Sequence, residues 1–276
     1  MAKKVLVTGL SGTVGEAIRS EFEERYELSS LSRYGCEGMP SDRDYRGNIA
    51  DIESLLPAFE GKDVVVHLAA DRSATADWES ALRNNFVGTY NVFEAAKRAG
   101  VRRVVFGSSQ HSVGGNYLDE PYCSIFEGAF DRVQRPYPLI DEGTPIRPSG
   151  YYGASKAYGE ALGSVYKDYH GVQSIHIRIG WTISSDVPTF SGAALALWLS
   201  HRDTSQIHRL AVDAPDDLDY AVVHAMSNNY WGIFSLDRAR KLLGYEPQDD
   251  AGPELDPDAT MPERDATEFK VHPEDP

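Results

Sequence analysis

Tyr152 and Lys156 lie four residues apart in the run Tyr152-Gly153-Ala154-Ser155-Lys156. That run opens a helical pattern, so the phenol and the ammonium share one face. A lysine cation close to a phenol lowers the phenol pKa and yields a base usable near neutral pH. Upstream, Ser108 and Ser109 end the strand-like run 102–107, at the carboxyl edge where doubly wound sheets bind ligands. A hydroxyl placed there polarises an oxygen that gives up its proton. Tyrosine and lysine at this spacing are common by themselves. Joined to a strand-end serine and a glycine loop, they point to proton transfer at a bound hydroxyl.

The glycine loop is Thr8-Gly9-Leu10-Ser11-Gly12-Thr13-Val14-Gly15, a GxxGxxG run between the first strand and the first helix. Gly9 permits a tight turn, Gly12 lets the backbone approach a pyrophosphate, and Gly15 lets helix and strand pack closely. The helix N-terminus adds unpaired N–H groups and a positive dipole end. A glycine triplet also serves ordinary turns; its position straight after strand one is what points to a dinucleotide. Gly9, Ser11, Gly12, Thr13, Val14 and Gly15 are the expected cradle. At the end of strand two stand Ser32 and Arg33, with no carboxylate of the kind that holds a ribose 2′-hydroxyl in NAD sites. An arginine there pairs with a 2′-phosphate, so NADP is the expected cofactor, with NAD possible. Stacking of Arg33 on adenine or exposure to solvent remains the plainer alternative.

The elements that must hold these groups alternate along the chain. Near-continuous apolar runs at 3–8, 63–68, 102–107 and 172–179 read as strands buried on both faces, and 27–31 as a weaker one. Helical patterns cover 13–25, 52–59, 77–99 and 150–170, and Ser235 opens another from Leu236 to Leu243, stopped by Gly244. This predicts an α/β Rossmann fold, a doubly wound parallel sheet with a small C-terminal substrate-binding lobe. Residues 1–247 form the single dehydrogenase-type domain, with the lobe drawn from about 181–247. Residues 114–148 are a long insertion with Tyr117, Tyr122, Phe126, Phe130 and Tyr137, expected to pack over the site as a lid. Residues 248–276 read as an acidic, proline-rich tail.

Charge excludes several partners. The 276 residues carry 42 acidic against 27 basic groups, a net charge of −15, which repels nucleic acid and anionic membranes. The basic residues are 8 lysines and 19 arginines, and with the acidic excess this reads as adaptation to a high-salt cytoplasm; simple solubility is the plainer account. Cys36 and Cys123 are the two cysteines, too few for a disulfide framework or a cysteine-rich metal site. A strand pattern begins at Lys3, leaving no room for a signal peptide, and no apolar run approaches the roughly 18 residues of a membrane helix. The expectation is a cytoplasmic protein.

Taken in order, TGxxGxxG, His67-Leu68-Ala69-Ala70, Asn85, Ser109 and YGASK resemble an extended short-chain dehydrogenase/reductase, over residues 3 to about 247. Ser108-Ser109-Gln110-His111, Arg178-Ile179-Gly180 and the run from Trp198 to Asp203 resemble its uronate dehydrogenase-like branch. That branch includes haloarchaeal sugar dehydrogenases of the L-arabinose 1-dehydrogenase and glucose-6-phosphate dehydrogenase types, whose members oxidise C1 of an aldose to a lactone. The resemblance implies catalytic roles for Ser109, Tyr152 and Lys156. It implies that Asn48 and Ile49 contact adenine, that Leu68, Ala69 and Ala70 meet the adenosine ribose and pyrophosphate region, and that Ile179 joins the cofactor site. Asn85 would support the active-site lysine through backbone and water. Ser73, Gln110 and His111 would meet ring hydroxyls. Helices 77–99 and 150–170 would pack against their copies in a homodimer or higher oligomer; Phe86, Tyr90 and Phe93 recur at helical spacing, which burial within one subunit explains equally.

Departures from the branch narrow the substrate. Gln110 replaces the usual asparagine. Ala193 stands where uronate and sugar-phosphate members carry an arginine, and no arginine occurs from 179 to 201. A carboxylate or phosphate lacks its bidentate partner there, although Arg72 is a possible substitute. Trp181 is a bulky wall where smaller polar residues are typical. Together these point to a small neutral sugar, with L-arabinose first, and hexuronate or glucose 6-phosphate as the alternative. His67 reads as structural, His201 as fixing a turn, and His111 as either a substrate contact or a packing residue; no spacing suggests a metal. A nucleotide-sugar epimerase or dehydratase would need a larger C-terminal domain or a Thr-Asp-Glu triplet at Ser109-Gln110-His111. A cofactor-sensing binding protein would have no use for an intact Ser-Tyr-Lys set.

Overall fold

The computed structural model describes residues 2–72, 77–263 and 265. Among the described residues seven parallel strands form one sheet: β1 (Lys4–Thr8), β2 (Glu27–Ser32), β3 (Asp44–Arg46), β4 (Val64–His67), β5 (Arg103–Ser109), β6 (Gln173–Ile179) and β7 (Tyr220–Ala225). Their order is β3-β2-β1-β4-β5-β6-β7. The chain winds outward from β1 to β3, then returns to lay β4 on the other side of β1. The switch point between β1 and β4 opens a crevice at the carboxyl ends, the place where such sheets take ligands. Val5 and Val7 face one hydrophobic core and Leu6 the other, and all three are fully buried. That is why β1 reads as an unbroken apolar run.

Helices cover both faces. α1 (Thr13–Arg25) follows the glycine loop and packs Ile18 and Phe22 inward. The pattern at 52–59 divides into a 3₁₀ turn, Ile52–Ser54, and a short α2 (Leu56–Phe59). Pro57 sits at the start of α2, where its missing N–H breaks no helical bond. Residues 78–99 follow one helical path, α3 (Trp78–Ser80), a π-helical stretch at Ala81–Val87, then α4 (Gly88–Ala99). α6 (Gly150–His170) carries Tyr152 and Lys156. β3 and β7 are strands that periodicity alone does not reveal.

The C-terminal part contains α7 (Gly192–Leu197), α8 (His201–Val212) and α9 (Asp237–Leu243), with Ser235 Oγ accepting the Asp237 N–H at 3.3 Å. The insertion contains α5 (Tyr122–Phe126), and its Tyr117, Ile125 and Ile140 are buried. Ile140 pairs with the 233–235 segment, donating to the Ile233 carbonyl at 2.8 Å and accepting from the Ser235 N–H at 2.9 Å. Beyond residue 247 the chain lies along the C-terminal part. Asp203 accepts the N–H groups of Gln248 and Asp249 at 2.8 and 3.2 Å, and Trp231 Nε1 donates to the Pro253 carbonyl at 2.9 Å. Further on, buried Asp265 accepts from the Ser184 hydroxyl at 2.7 Å.

Candidate active site

A cleft of about 710 Å³ crosses the carboxyl edge of the sheet. Gly9, Ser11, Gly12, Thr13, Val14 and Gly15 form one wall. Gly9 adopts φ 80°, a left-handed turn that a side chain strains. A Cβ on Gly15 would run into the carbonyl oxygens of Gly9 and Leu10, so α1 can start this close to the loop only with glycine there. Gly12 caps α1 without a side-chain hydrogen bond. The first N–H groups of the helix are therefore left for an anion.

At the β2–β3 end the wall is Leu31, Ser32, Arg33, Tyr34, Gly35, Gly47, Asn48 and Ile49. Ser32 Oγ is buried and has no hydrogen-bond partner among the described residues, an orphan that a ribose or its phosphate would satisfy. The exposed Arg33 guanidinium sits 5.6 Å from the centre of the Tyr34 ring. Asp44 is the carboxylate near this end, and it is turned away into its own loop, accepting from Ser30 Oγ at 2.5 Å and the Cys36 N–H at 3.0 Å. Arg46, which pairs with Ser32 across the β2–β3 ladder, adds a second positive charge. Tyr34 and Arg46 escape sequence reasoning because neither carries a motif; the three-residue β3 brings Arg46 here.

Leu68, Ala69 and Ala70 line the opposite wall. Thr8 ties that wall to the loop, its hydroxyl accepting the Ala69 N–H at 3.2 Å and lying 2.8 Å from His67 Nδ1. Burial pulls His67 down to about 3, so it stays neutral and structural. Asn85 does not line the cleft. It is buried and clamps the backbone of Asp71, accepting its N–H at 2.7 Å and donating to its carbonyl at 2.8 Å.

Ser109, Tyr152 and Lys156 converge at the far end with Ile179. Ser109 hydrogen-bonds the Tyr152 phenol and also accepts the His111 N–H at 3.2 Å. Lys156 Nζ donates to the Gly107 carbonyl at 2.7 Å and lies 5.3 Å from the Tyr152 ring centre. Burial pushes the phenol up to about 12, against the Ser109 hydrogen bond and the Arg72 charge, which pull it down. The expected acidification by Lys156 is not what the protein shows on its own. Burial has lowered that ammonium to about 7, and one of its three N–H donors goes to the Gly107 carbonyl.

Gln110, His111 and Trp181 also line this end, while Ser73 lies outside the described residues. Tyr117 of the insertion donates to both oxygens of Gln110, the main-chain one at 3.0 Å. His111 Nδ1 lies 2.7 Å from Ser149 Oγ, and burial lowers the ring to about 4. Trp181 packs edge-on against Phe190 at 5.4 Å. No residue of 114–148 lines the cleft. The expected lid is instead a buttress behind Gln110, because buried Tyr117 and half-buried Phe130 pack against Phe234 and Trp231 of the C-terminal part. Asp71, Arg72, Ser80, Asn84 and Thr182 also line the cleft, with Gly107, Ser108 and Gly180. Asp71 and Ser80 could have been found by asking which polar residues follow the carboxyl end of β4. Ala193 is buried in α7, away from the cleft surface.

Beneath the floor runs a buried polar chain. Ser108 Oγ donates to Glu160 Oε1 at 2.6 Å, and Arg178 meets both Glu160 oxygens at 2.9 Å. Arg178 Nη1 lies 3.3 Å from His224 Nε2, and Glu142 accepts the His224 N–H at 3.0 Å. Among the described residues no cluster of His, Cys, Asp or Glu could hold a metal, and no helix is long and apolar enough to cross a membrane.

Residues 5–207 match the NAD dependent epimerase/dehydratase family. An NAD-dependent glucose-6-phosphate dehydrogenase of Haloferax volcanii is 36% identical over 91% of this chain and 95% of its own length. An L-arabinose 1-dehydrogenase (NAD(P)(+)) of the same organism is 32% identical over 90% and 97%. Among solved structures, a mutant uronate dehydrogenase from Agrobacterium tumefaciens complexed with NAD aligns at TM-score 0.76 and 27% identity, over 94% of this chain and 93% of that one.

Proposed function

The chain belongs to the NAD dependent epimerase/dehydratase family, and from that membership we propose a specific reaction for its cleft. It is an NAD(P)-dependent sugar dehydrogenase, an oxidoreductase acting on a CH–OH group. The reaction assigned here is oxidation of a neutral aldose at C1 to the lactone, with a pentose such as L-arabinose as substrate. NADP is the preferred cofactor and NAD a usable one.

The glycine loop, the uncapped start of α1 and the orphaned Ser32 hydroxyl fit a dinucleotide. Gly9, Ser11, Gly12, Thr13, Val14 and Gly15 hold its phosphates; Ser32, Arg33, Asn48 and Ile49 hold the adenosine half; Leu68, Ala69, Ala70 and Ile179 complete the wall. When bound, it supplies the hydride acceptor. Tyr152, as phenolate, takes the proton of the anomeric hydroxyl, and Ser109 holds the reacting oxygen. Lys156, pinned to Gly107, fixes the floor beside the phenol. Gln110 and His111 face the ring hydroxyls, and Trp181 limits the ring's size.

The neutral-sugar reading rests on one observation above all. Arg72 is the arginine near the substrate end, and its Nη1 lies 3.4 Å from Thr13 Oγ1 on the phosphate loop. That contact sets one of its donors beside the cofactor's phosphates, and the neutral-sugar reading takes this as its main role although its charge also reaches the Tyr152 phenol. A phosphorylated hexose is the second reading, favoured by the name of the 36% identical relative. A panel of L-arabinose, D-xylose, D-galactose, glucuronate and glucose 6-phosphate, assayed with NADP and NAD in concentrated KCl, decides between them. L-arabinose should give the highest kcat/KM; preference for glucuronate or glucose 6-phosphate overturns the reading.

The acidic, lysine-poor composition supports a cytoplasmic enzyme adapted to high salt. Assembly as at least a homodimer is supported by an aromatic strip across two helices. Trp78 meets Phe86 at 5.7 Å and Tyr151 at 5.4 Å, and Phe86 meets Tyr158 at 5.2 Å. Tyr90 continues it as an exposed residue, whereas Phe93 is buried in the core of its own subunit.

A further inference from the structure

A second cleft, of about 540 Å³, opens between the insertion and the chain that follows β7, and it shares no lining residue with the catalytic one. The insertion contributes Arg135, Tyr137 and Leu139, and the C-terminal part Asn228, Tyr230 and Arg240. Tyr137 is fixed there by donating its hydroxyl to the Gly232 carbonyl at 3.2 Å. The Arg135 guanidinium sits among three rings, 4.1 Å from the centre of Tyr230, 5.6 Å from Trp231 and 5.9 Å from Tyr137. Among the described residues it makes no hydrogen bond and no ion pair. Arg240 is anchored by Asp237 at 3.3 Å and by Asn228 at 3.4 Å. Asp250, the carboxylate beside Tyr230, is taken up by the N–H groups of Tyr230 and Gly252, both at 2.8 Å.

We propose that this cleft is a second ligand site, built for a ring-bearing organic phosphate of the nucleoside monophosphate type. A guanidinium stacked on an aromatic ring engages its face and keeps its N–H donors in the plane. Those of Arg135 form a planar fork that meets phosphate oxygens in bidentate fashion. Two arginines against Asp237 give the lining a net positive charge, inside a chain whose own net charge is −15. The cleft therefore favours an anion where the rest of the surface repels one. Its volume is in the range that holds small organic ligands, more room than a lone inorganic ion fills. Tyr137, Tyr230 and exposed Leu139 offer apolar and aromatic surface to a base or to the face of a sugar. The site stands apart from the dehydrogenase reaction, and its occupancy does not depend on that reading.

Calorimetric titration of AMP into the full-length protein, saturated with NADPH and at one fixed KCl concentration, tests the site, because NADPH keeps a second adenosine out of the catalytic cleft. Saturable binding of one AMP per chain is expected. Arg135→Ala should weaken it on the order of tenfold or more, the scale of a charged hydrogen bond, and Arg240→Ala should weaken it as well. Both variants should leave NADPH affinity unchanged. Absence of saturable binding overturns the proposal, as does binding that neither variant weakens. Inorganic phosphate binding as tightly as AMP also overturns it, because the ring would then contribute nothing. Ribose 5-phosphate matching AMP supports the site and assigns the ring contact to the sugar rather than the base. If NADPH itself does not bind, the dinucleotide reading fails. The same AMP titration without it, comparing Arg135→Ala with Arg33→Asp, then assigns the binding to this cleft or to the other, and loss only in Arg33→Asp overturns the proposal.

Discussion

Lys156 Nζ donates to the main-chain oxygen of Gly107 at 2.7 Å, tying the helix that carries the phenol to the strand that carries Ser109. The lysine thereby fixes distance between two elements. The influences that lower the phenol come from Ser109 and Arg72, while burial keeps it near 12. In the direction of sugar oxidation the base form is needed, so turnover should climb as pH rises through neutrality into the alkaline range. A pH–kcat/KM profile peaking on the acid side would contradict this. Tyr152→Phe should lower turnover by about 10²-fold or more with cofactor affinity little changed. Lys156→Ala should harm both, because it loosens α6 against β5.

Cofactor choice is the second expectation. With Ser32 orphaned, Asp44 turned inward and Arg33 and Arg46 at this end, Arg33→Asp should shift kcat/KM toward NAD by about 1–3 kcal/mol, the scale of a charged hydrogen bond. An unchanged NADP-to-NAD ratio would remove Arg33 from the site.

Acid sensitivity follows from histidines held neutral in the interior. Burial lowers His67, His176 and His224 to about 3 and His208 to about 4, from 6.5. Their folded values lie below the unfolded one, so the unfolded chain binds more protons and stability rises with pH across that window. Between pH 6.5 and 5 each should cost about 1.4 kcal/mol per pH unit. Glu142, raised by burial, opposes them as a single group. Unfolding free energies measured by denaturant at stepped pH should fall steeply over this range; a flat profile would mean these rings are protonated when folded.

Assembly is testable on the exposed side of the same helices. Tyr90 and Val165 are exposed on α4 and α6. Tyr90→Glu with Val165→Glu should shift the protein from dimer to monomer in light scattering at high salt. A monomeric unmodified protein would exclude the interface.

Much of this was legible in the sequence, and the reasons differ by element. β1 and β5 are buried on both faces, so their apolar runs are unmistakable, and Gly9 and Gly15 mark a turn only glycine can make. β3 is three residues long, and its identity comes from pairing with β2 rather than from its own pattern. The insertion's aromatic residues announced packing but not its direction: Tyr117 points at Gln110 from behind. Asp71 and Ser80 belong to no motif. Their meeting depends on how α3 folds back, a tertiary fact with no local signature.

The buried chain from Ser108 through Glu160, Arg178 and His224 to Glu142 also bears on how such proteins exchange parts. Its members come from β5, α6, β6, β7 and the insertion, so a recombination crossover almost anywhere between residues 108 and 224 separates partners. A hybrid that kept Arg178 but drew α6 from a parent without the matching carboxylate would bury an unpaired cation, a loss of roughly 3–5 kcal/mol. Libraries shuffled for new sugar preference should therefore tolerate breakpoints before β5 or after β7, and lose folded progeny where the breakpoint falls between them.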